Sequence, residues 1–227
     1  MSDTPPRRIR SFVKREGRLT PGQQLALDTL WPEFGIDFSE APLNLQELFG
    51  RDAETILEIG FGNGESLYQM AQQNPHKNYI GIEVHRPGAG HLLHLMQTSG
   101  CENIRISTHD AVEVLQQQIT DASIDKFQLF FPDPWHKRKH HKRRIVQTNF
   151  IQQIARKLKT DGLFHMATDW EHYAKQMLKE LNNSPLFINL SEDACFVPRP
   201  KERPVTKFEK RGRQLGHGVW DLLFQKK

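Results

Sequence analysis

The 227-residue sequence predicts an α/β fold in which a mostly parallel sheet carries helices on both faces. Three observations lead there. From about residue 54 short apolar runs alternate with helical stretches, the order that builds a parallel sheet rather than a sandwich or a bundle. The run ends carry glycines or acidic residues, as expected where an open parallel sheet forms its ligand crevice. Hydrophobic residues make up 37% and charged residues 26% of the chain, a globular composition that is neither disordered nor membrane-embedded.

The elements follow in order. Residues 1–19 lack periodicity and hold Pro5, Pro6 and six cations, so a flexible basic arm is expected. Residues 20–227 then form a single domain. Thr20-Pro21 reads as an N-cap and first-turn proline, opening a helix through Leu25, Leu27 and Leu30 toward Trp31. Strand candidates are Thr55–Ile59, Asn78–Ile82, 104–108, 127–131 and 163–168, with helices at about 65–74, 87–99, 111–118, 147–159 and 170–182. Gly100, Gly162 and Asn182-Asn183 stand where helices should stop. Residues 219–225 form a final strand candidate, suited to an antiparallel place at the sheet edge.

No apolar run approaches the ~18 residues of a spanning helix, so no membrane role is expected. The basic N-terminal segment has no apolar stretch behind it, which leaves the cytoplasm as the expected compartment. Cys101 and Cys195 have no paired spacing and read as two small apolar side chains.

The net charge of +4 conceals a segregation. Segments 7–18, 135–144 and 199–213 together hold 19 cations against three acids, +16 over 37 residues. The remaining 190 residues hold 12 cations against 24 acids, −12. An acidic body with three concentrated cationic stretches suits a polyanion, because phosphate neutralisation is local. Three solvated faces are the plainer alternative.

The strand ends carry the chemistry. After the first run comes Glu58-Ile59-Gly60-Phe61-Gly62-Asn63-Gly64-Glu65, three alternate glycines leading into a helix. Such glycines let a backbone turn tightly and approach a ligand, and their spacing differs from that of the dinucleotide fingerprint. Glu83, after the second run, is placed to accept hydrogen bonds from ribose hydroxyls, or is simply solvated. Asp110, after the third, is placed for an adenine amine and equally for capping the helix at Ala111. The fourth run enters Phe131-Pro132-Asp133-Pro134-Trp135, where two prolines pin one carboxylate at the crevice mouth. A cationic run through Arg144 follows directly. Trp135 and Phe208 are candidates to stack on a splayed nucleotide or to pack in the core. His136, His140 and His141 do not read as a metal site, since six cations crowd the same ten residues and no carboxylate or thiol completes a set.

The combination LEIGFGNGE, IGIEVHRPG, FPDPWHKRKHHKRR, TDWEHYA and RPVTKFEKRG resembles the bacterial transfer-RNA (guanine-N7)-methyltransferase family, within the class I S-adenosylmethionine-dependent methyltransferases. The resemblance spans nearly the whole chain, including RSFVKREGR and LTPGQQLAL. It implies a Rossmann-like, seven-stranded, mostly parallel sheet with the last strand antiparallel, and methyl transfer from S-adenosyl-L-methionine to N7 of guanine at position 46 in the variable loop of transfer RNA. The product would be S-adenosyl-L-homocysteine, with neither a metal nor an obligate protein partner. Glu58, Glu83, Asp110 and Asp133 would then line the cofactor site with Gly60, Gly62 and Gly64, and Asp133 would be catalytic. Lys137, Asp169, Thr206, Lys207, Phe208 and Glu209 fall at substrate-contact positions, and Lys139, His140, His141, Lys142, Arg143 and Arg144 at the RNA-contacting segment. The cofactor half is about 54–135 and the substrate and RNA half about 136–227.

The chemistry is compatible with these residues. Guanine N7 has an in-plane lone pair, so methylation demands orientation and a nearby negative charge rather than a general base. Asp133 suits that role, and Asp169 reads either as a partner for guanine donors or as the cap of the helix at 170–182. Three rivals remain: a nicotinamide-dependent dehydrogenase, an RNA-binding module on a retired methyltransferase fold, and an amino-group base methyltransferase acting on RNA. The charge segregation predicts that transfer-RNA affinity falls by at least about 100-fold between 50 and 200 mM salt. A filter-binding titration at both concentrations checks it, and a flat response would refute a three-segment surface.

Overall fold

The structure, a computed structural model, describes residues 10–13, 17–206, 209–210 and 218–227. Its elements are α1 (Pro21–Phe34), β1 (Gly35–Ile36), α2 (Leu45–Phe49), β2 (Thr55–Ile59), α3 (Glu65–Gln73), β3 (Asn78–Ile82), α4 (Arg86–Ser99), β4 (Ile104–Ser107), α5 (Ala111–Gln117) and β5 (Ile124–Phe130). A 3₁₀ turn (Arg138–Arg143) precedes α6 (Thr148–Lys157), β6 (Leu158–Thr168), α7 (Glu171–Asn182), β7 (Phe187–Asn189) and β8 (Trp220–Lys226). Among the described residues the sheet has eight strands in the order β1-β4-β3-β2-β5-β6-β8-β7. β8 runs antiparallel to both its neighbours, β6 and β7. The expected seven strands, the last antiparallel, are therefore present, and the two-residue β1 adds an edge beside β4.

Local chemistry explains the elements. Thr20 and Gln23 form a capping box, with the Thr20 side chain accepting from Gln23 N and the Gln23 side chain accepting from Thr20 N, and Pro21 opens α1. Leu27 is buried while Leu25 is 63% exposed, so the apolar stripe of α1 is narrower than the sequence suggests. β2 and β3 are buried along their full length, as strands covered on both faces must be. One cluster packs α5, α6 and α7 against one face through Leu115, Ile154 and Met177. The other packs α1, α3 and α4 against the opposite face through Leu27, Leu67 and Leu92.

Two elements depart from expectation. α6 ends at Lys157 and β6 begins at Leu158, five residues before the apolar run that announces it. The β5–β6 register shifts between Ile124 and Lys126, and Gly162 lies in β6 close to Lys159 O and Asp125 O rather than capping a helix. β7 is only three residues long, too short for a periodic signal.

A contact at α4 positions the site. A Cβ at Gly88 would fall 1.9 Å from the carbonyl oxygen of Gly62, so α4 touches the glycine loop backbone directly. Gly88→Ala must separate the two, at about 1–3 kcal/mol by analogy with overpacked cores. Urea unfolding is expected to show that loss with m unchanged; stability equal to the parent would refute the contact.

Candidate active site

The carboxyl ends of the parallel strands converge on one edge, where the predicted residues meet. Gly60, Gly62 and Gly64 adopt φ of +77°, +62° and +80°, left-handed values open to glycine at little cost. The loop is fastened from beside it: Glu83 accepts from Gly62 N through one carboxylate oxygen and from His85 N through the other, both at 2.9 Å. Asp110 accepts from Val112 N at 3.0 Å, so it does cap α5, and it also faces the cavity. Asp169 does not cap α7: the cap position is Trp170, whose N–H is taken by Thr168 Oγ1, and the Asp169 side chain lines a cavity.

Two cavities open here. The smaller, about 380 Å³, lies over the ends of β2, β3 and β5 and is lined by Gly60, Glu83, Asp110 and Asp133. The larger, about 950 Å³, is lined by Glu58, Gly62, Asp133, Asp169, Trp170 and Thr206. Gly60 and residues 130–133 belong to both walls, so Asp133 stands where the two meet.

The turn that presents Asp133 is held on several sides. Phe131 and Trp135 have φ of +51° and +46°, unusual for side-chain-bearing residues and costing roughly 1–3 kcal/mol each. Phe131 N donates to Ala167 O at 2.7 Å, and Arg144 Nε donates to Pro134 O at 2.8 Å. The Trp135 indole N–H donates to Ser11 O at 3.0 Å, and the Arg143 guanidinium lies 3.9 Å over the indole ring. Trp135 thus serves neither as core nor as an open stacking platform.

Arg143 departs from the expected RNA-facing role. Its guanidinium donates to Arg10 O and Phe12 O, gripping the backbone of the N-terminal segment. Ser11, Phe12 and Val13 in turn line the smaller cavity, so this part of the arm is docked. Arg144 departs further. It is 1% exposed, with partners at Pro134 O, His172 Nδ1 and Gln176 Oε1 and its guanidinium over the Tyr173 ring. Lys137, Lys139 and Lys142 are exposed, and His140 and His141 are half-buried beside Trp135 and His172 respectively. His136 stacks on Trp170 with ring centres 4.1 Å apart. Among the described residues no group of three or more His, Cys, Asp or Glu is disposed to hold a metal ion.

The C-terminal loop closes the larger cavity with Pro204, Val205 and Thr206. Lys207 and Phe208 lie outside the described residues. Glu209 departs from a substrate-facing role: it is 1% exposed and accepts from Arg203 Nη1 at 2.6 Å. Arg203, also 1% exposed, donates through Nε and Nη2 to both oxygens of Asp221, whose Oδ1 also meets His165 at 2.9 Å. Burial pushes His165 below its ordinary value, while the hydrogen bonds from His165 and Arg203 hold Asp221 below the usual carboxylate range against its own burial. Sequence reasoning missed Arg203, because nothing in a basic segment distinguishes a buried arginine from a solvated one. It also missed Trp170, although its place directly after Asp169 at a strand end was a signal.

The donor set suits a ligand that is cationic and rich in hydrogen-bond donors. Glu58 is 2% exposed, its Oε2 has no protein partner, and burial together with the Glu83 charge pushes its pKa up to about 8. Nothing lies within 4 Å of a Cβ at Gly60 or Gly62, so the backbone there is open to close approach. Because the folded-state value of Glu58 exceeds the ordinary 4.5, the folded chain binds this proton more tightly than the unfolded chain. The ligand-free protein is therefore expected to lose on the order of a few kcal/mol as pH rises from 4.5 to about 8. Urea unfolding of the parent and Glu58→Gln across that range checks this, and parallel curves would refute it.

Comparison with known proteins agrees with this geometry. The sequence model of a family described as "Putative methyltransferase" matches residues 52–222. A tRNA (guanine-N(7)-)-methyltransferase of Edwardsiella ictaluri (strain 93-146) is 60% identical over 220 residues, covering 97% of this chain and 92% of the relative. Proteins of the same name from Shewanella sp. (strain MR-4) and Yersinia pseudotuberculosis serotype I (strain IP32953) are 59% and 58% identical, with the same coverage. In fold the chain is similar to the solved 16S rRNA methyltransferase KamB (TM-score 0.58, 12% identity, 85% of this chain and 95% of that one). It is also similar to an antibiotic-related methyltransferase (TM-score 0.53, 19% identity, again 85% and 95%). With identity near 60% along almost its whole length, and with the glycine loop and proline-framed aspartate in one crevice, the chain belongs to the transfer-RNA (guanine-N7)-methyltransferase family.

Proposed function

We propose that this chain transfers the methyl group of S-adenosyl-L-methionine to N7 of a guanine in transfer RNA, at position 46 of the variable loop, releasing S-adenosyl-L-homocysteine in the cytoplasm. One observation supports the reading beyond family membership: Asp133 stands on the wall shared by the two cavities, so a single carboxylate would serve a cofactor in one and a base in the other. Glu58, Glu83, Asp110 and the loop of Gly60, Gly62 and Gly64 would hold the cofactor, the unpartnered Glu58 oxygen suiting a cationic ligand. When bound, S-adenosylmethionine supplies a sulfonium-activated methyl group.

The protein's own task is orientation and charge. No residue needs to take a proton from N7, whose lone pair is already free. Asp133 keeps a negative charge beside the base as it becomes cationic, and the braces on its turn fix that charge in advance, so little reorganisation is needed at the moment of transfer. Asp169 and Thr206 face the same chamber and are suited to the donor edge and the sugar of the target nucleotide, and the exposed Lys137 is suited to a phosphate. Lys139, His140, His141 and Lys142 offer phosphate contacts, joined by the exposed Arg138, while Arg143 and Arg144 are committed elsewhere. Glu209 anchors the loop through Arg203 rather than meeting substrate.

Incubation with labelled S-adenosylmethionine and unmodified transfer RNA, followed by nucleoside analysis, is expected to yield 7-methylguanosine. Asp133→Asn is expected to lower kcat on the order of 100-fold with cofactor Kd changed less than threefold. Label in another nucleoside would overturn the substrate atom, and equal losses in turnover and cofactor binding would overturn the role of Asp133.

A further inference from the structure

The larger cavity contains an aromatic wall that the reading above leaves unused. Trp170 is 38% exposed, although a tryptophan this close to the sheet normally buries its ring for the large apolar area gained. Trp170 lines the same chamber as Asp133, Asp169 and Thr206. The indoles of Trp31 and Trp135 have their N–H groups taken by Asp37 and by Ser11 O, whereas the Trp170 indole N–H meets no protein acceptor among the described residues. His136 packs against the ring at 4.1 Å, tilted by 36°, and steadies it from the segment that follows Asp133. The backbone is fixed too: Trp170 N donates to Thr168 Oγ1, and Trp170 O accepts from Tyr173 N and Ala174 N as α7 begins. A rigid, partly exposed indole with a spare donor, in a chamber also lined by Asp133 and Asp169, is built to receive a flat ring.

We infer that Trp170 is the stacking platform for the target guanine and that it acts as a catalytic residue, holding the base more strongly as N7 becomes cationic than while it is neutral. The inference rests on the proposed guanine-N7 reaction. Stacking on an aromatic face holds any base. A base that acquires positive charge is attracted in addition by the negative face of the indole, which tryptophan offers more strongly than tyrosine or phenylalanine. Binding that strengthens toward the transition state raises the rate of the chemical step, whereas uniform binding lowers KM alone. Asp133 and Trp170 then divide the work, one meeting the developing charge in the plane of the base and the other from its face.

The test uses the full chain with unmodified transfer RNA under single-turnover conditions at saturating cofactor and RNA. Trp170→Leu is expected to slow methyl transfer about 10-fold or more, with cofactor Kd within twofold of the parent; Trp170→Phe recovers part of the rate. Replacing tryptophan by 5-fluorotryptophan throughout weakens the negative ring face without changing its shape. It is expected to slow the parent about two- to threefold and to leave Trp170→Phe unaffected. A Trp170→Leu rate within twofold of the parent overturns the inference. An equal effect of fluorination on the parent and Trp170→Phe would remove the charge-dependent part, leaving only a packing role and overturning the inference as stated. If the parent forms no 7-methylguanosine, the proposed function fails first, and the two failures are told apart by that control.

Discussion

The crevice is organised around a turn that a free chain would avoid. Residues 131–135 carry left-handed backbone at both ends, at Phe131 and Trp135, with prolines inside. Such a conformation persists only where its surroundings over-determine it. Here β6 supplies a backbone acceptor to Phe131, Arg144 fastens Pro134 and the indole of Trp135 is tied to Ser11. The Arg203 guanidinium also lies 5.8 and 5.7 Å from the ring centres of Phe130 and Phe131. A reacting carboxylate needs restraint of this kind, because positional error costs more at the transition state than strain costs in the folded state.

Restraining the turn redirects much of the charge. Arg143, Arg144 and Arg203 all come from segments that read as polyanion surface, yet each donates to protein acceptors, Arg144 with its Nη2 left unpartnered among the described residues. Arg144 and Arg203 are buried with two or more hydrogen-bonded partners, as a desolvated guanidinium requires. Arginine suits this because its planar fork holds several fixed acceptors, which lysine does not do. The 135–144 run therefore offers phosphates a smaller face, richer in lysine, than the sequence implies: Lys137, Arg138, Lys139 and Lys142 are its exposed cations.

What was legible in the sequence follows the range of the interactions involved. β2 and β3 coincide with their apolar runs, and Thr20, Gly100 and Asp110 cap helices as read, because a few neighbouring residues decide these features. The acids at strand ends could be placed because parallel topology brings those ends together. The early start of β6 was hidden because it rests on one pair, Leu158 with Ile124, separated from the main run by a bulge over the polar stretch at Lys159–Asp161, where no apolar signal exists. The Arg203–Asp221–His165 network was hidden for a related reason. Its members lie far apart in sequence and meet only once β8 has paired with β6.

That pairing also bears on how the molecule assembles. The smaller cavity lies where β2 meets β5, a pairing of distant residues such as Ile56 with Lys126. The wall of the larger cavity made by residues 203–206 is pinned to Asp221 of β8, which is inserted between β6 and β7 and pairs with residues more than fifty positions earlier. Closing such a loop carries an entropy cost that must be met before its contacts repay it, so distant pairings form late. Both chambers therefore depend on distant pairings, and the larger one lacks its anchored wall until the final strand enters the sheet.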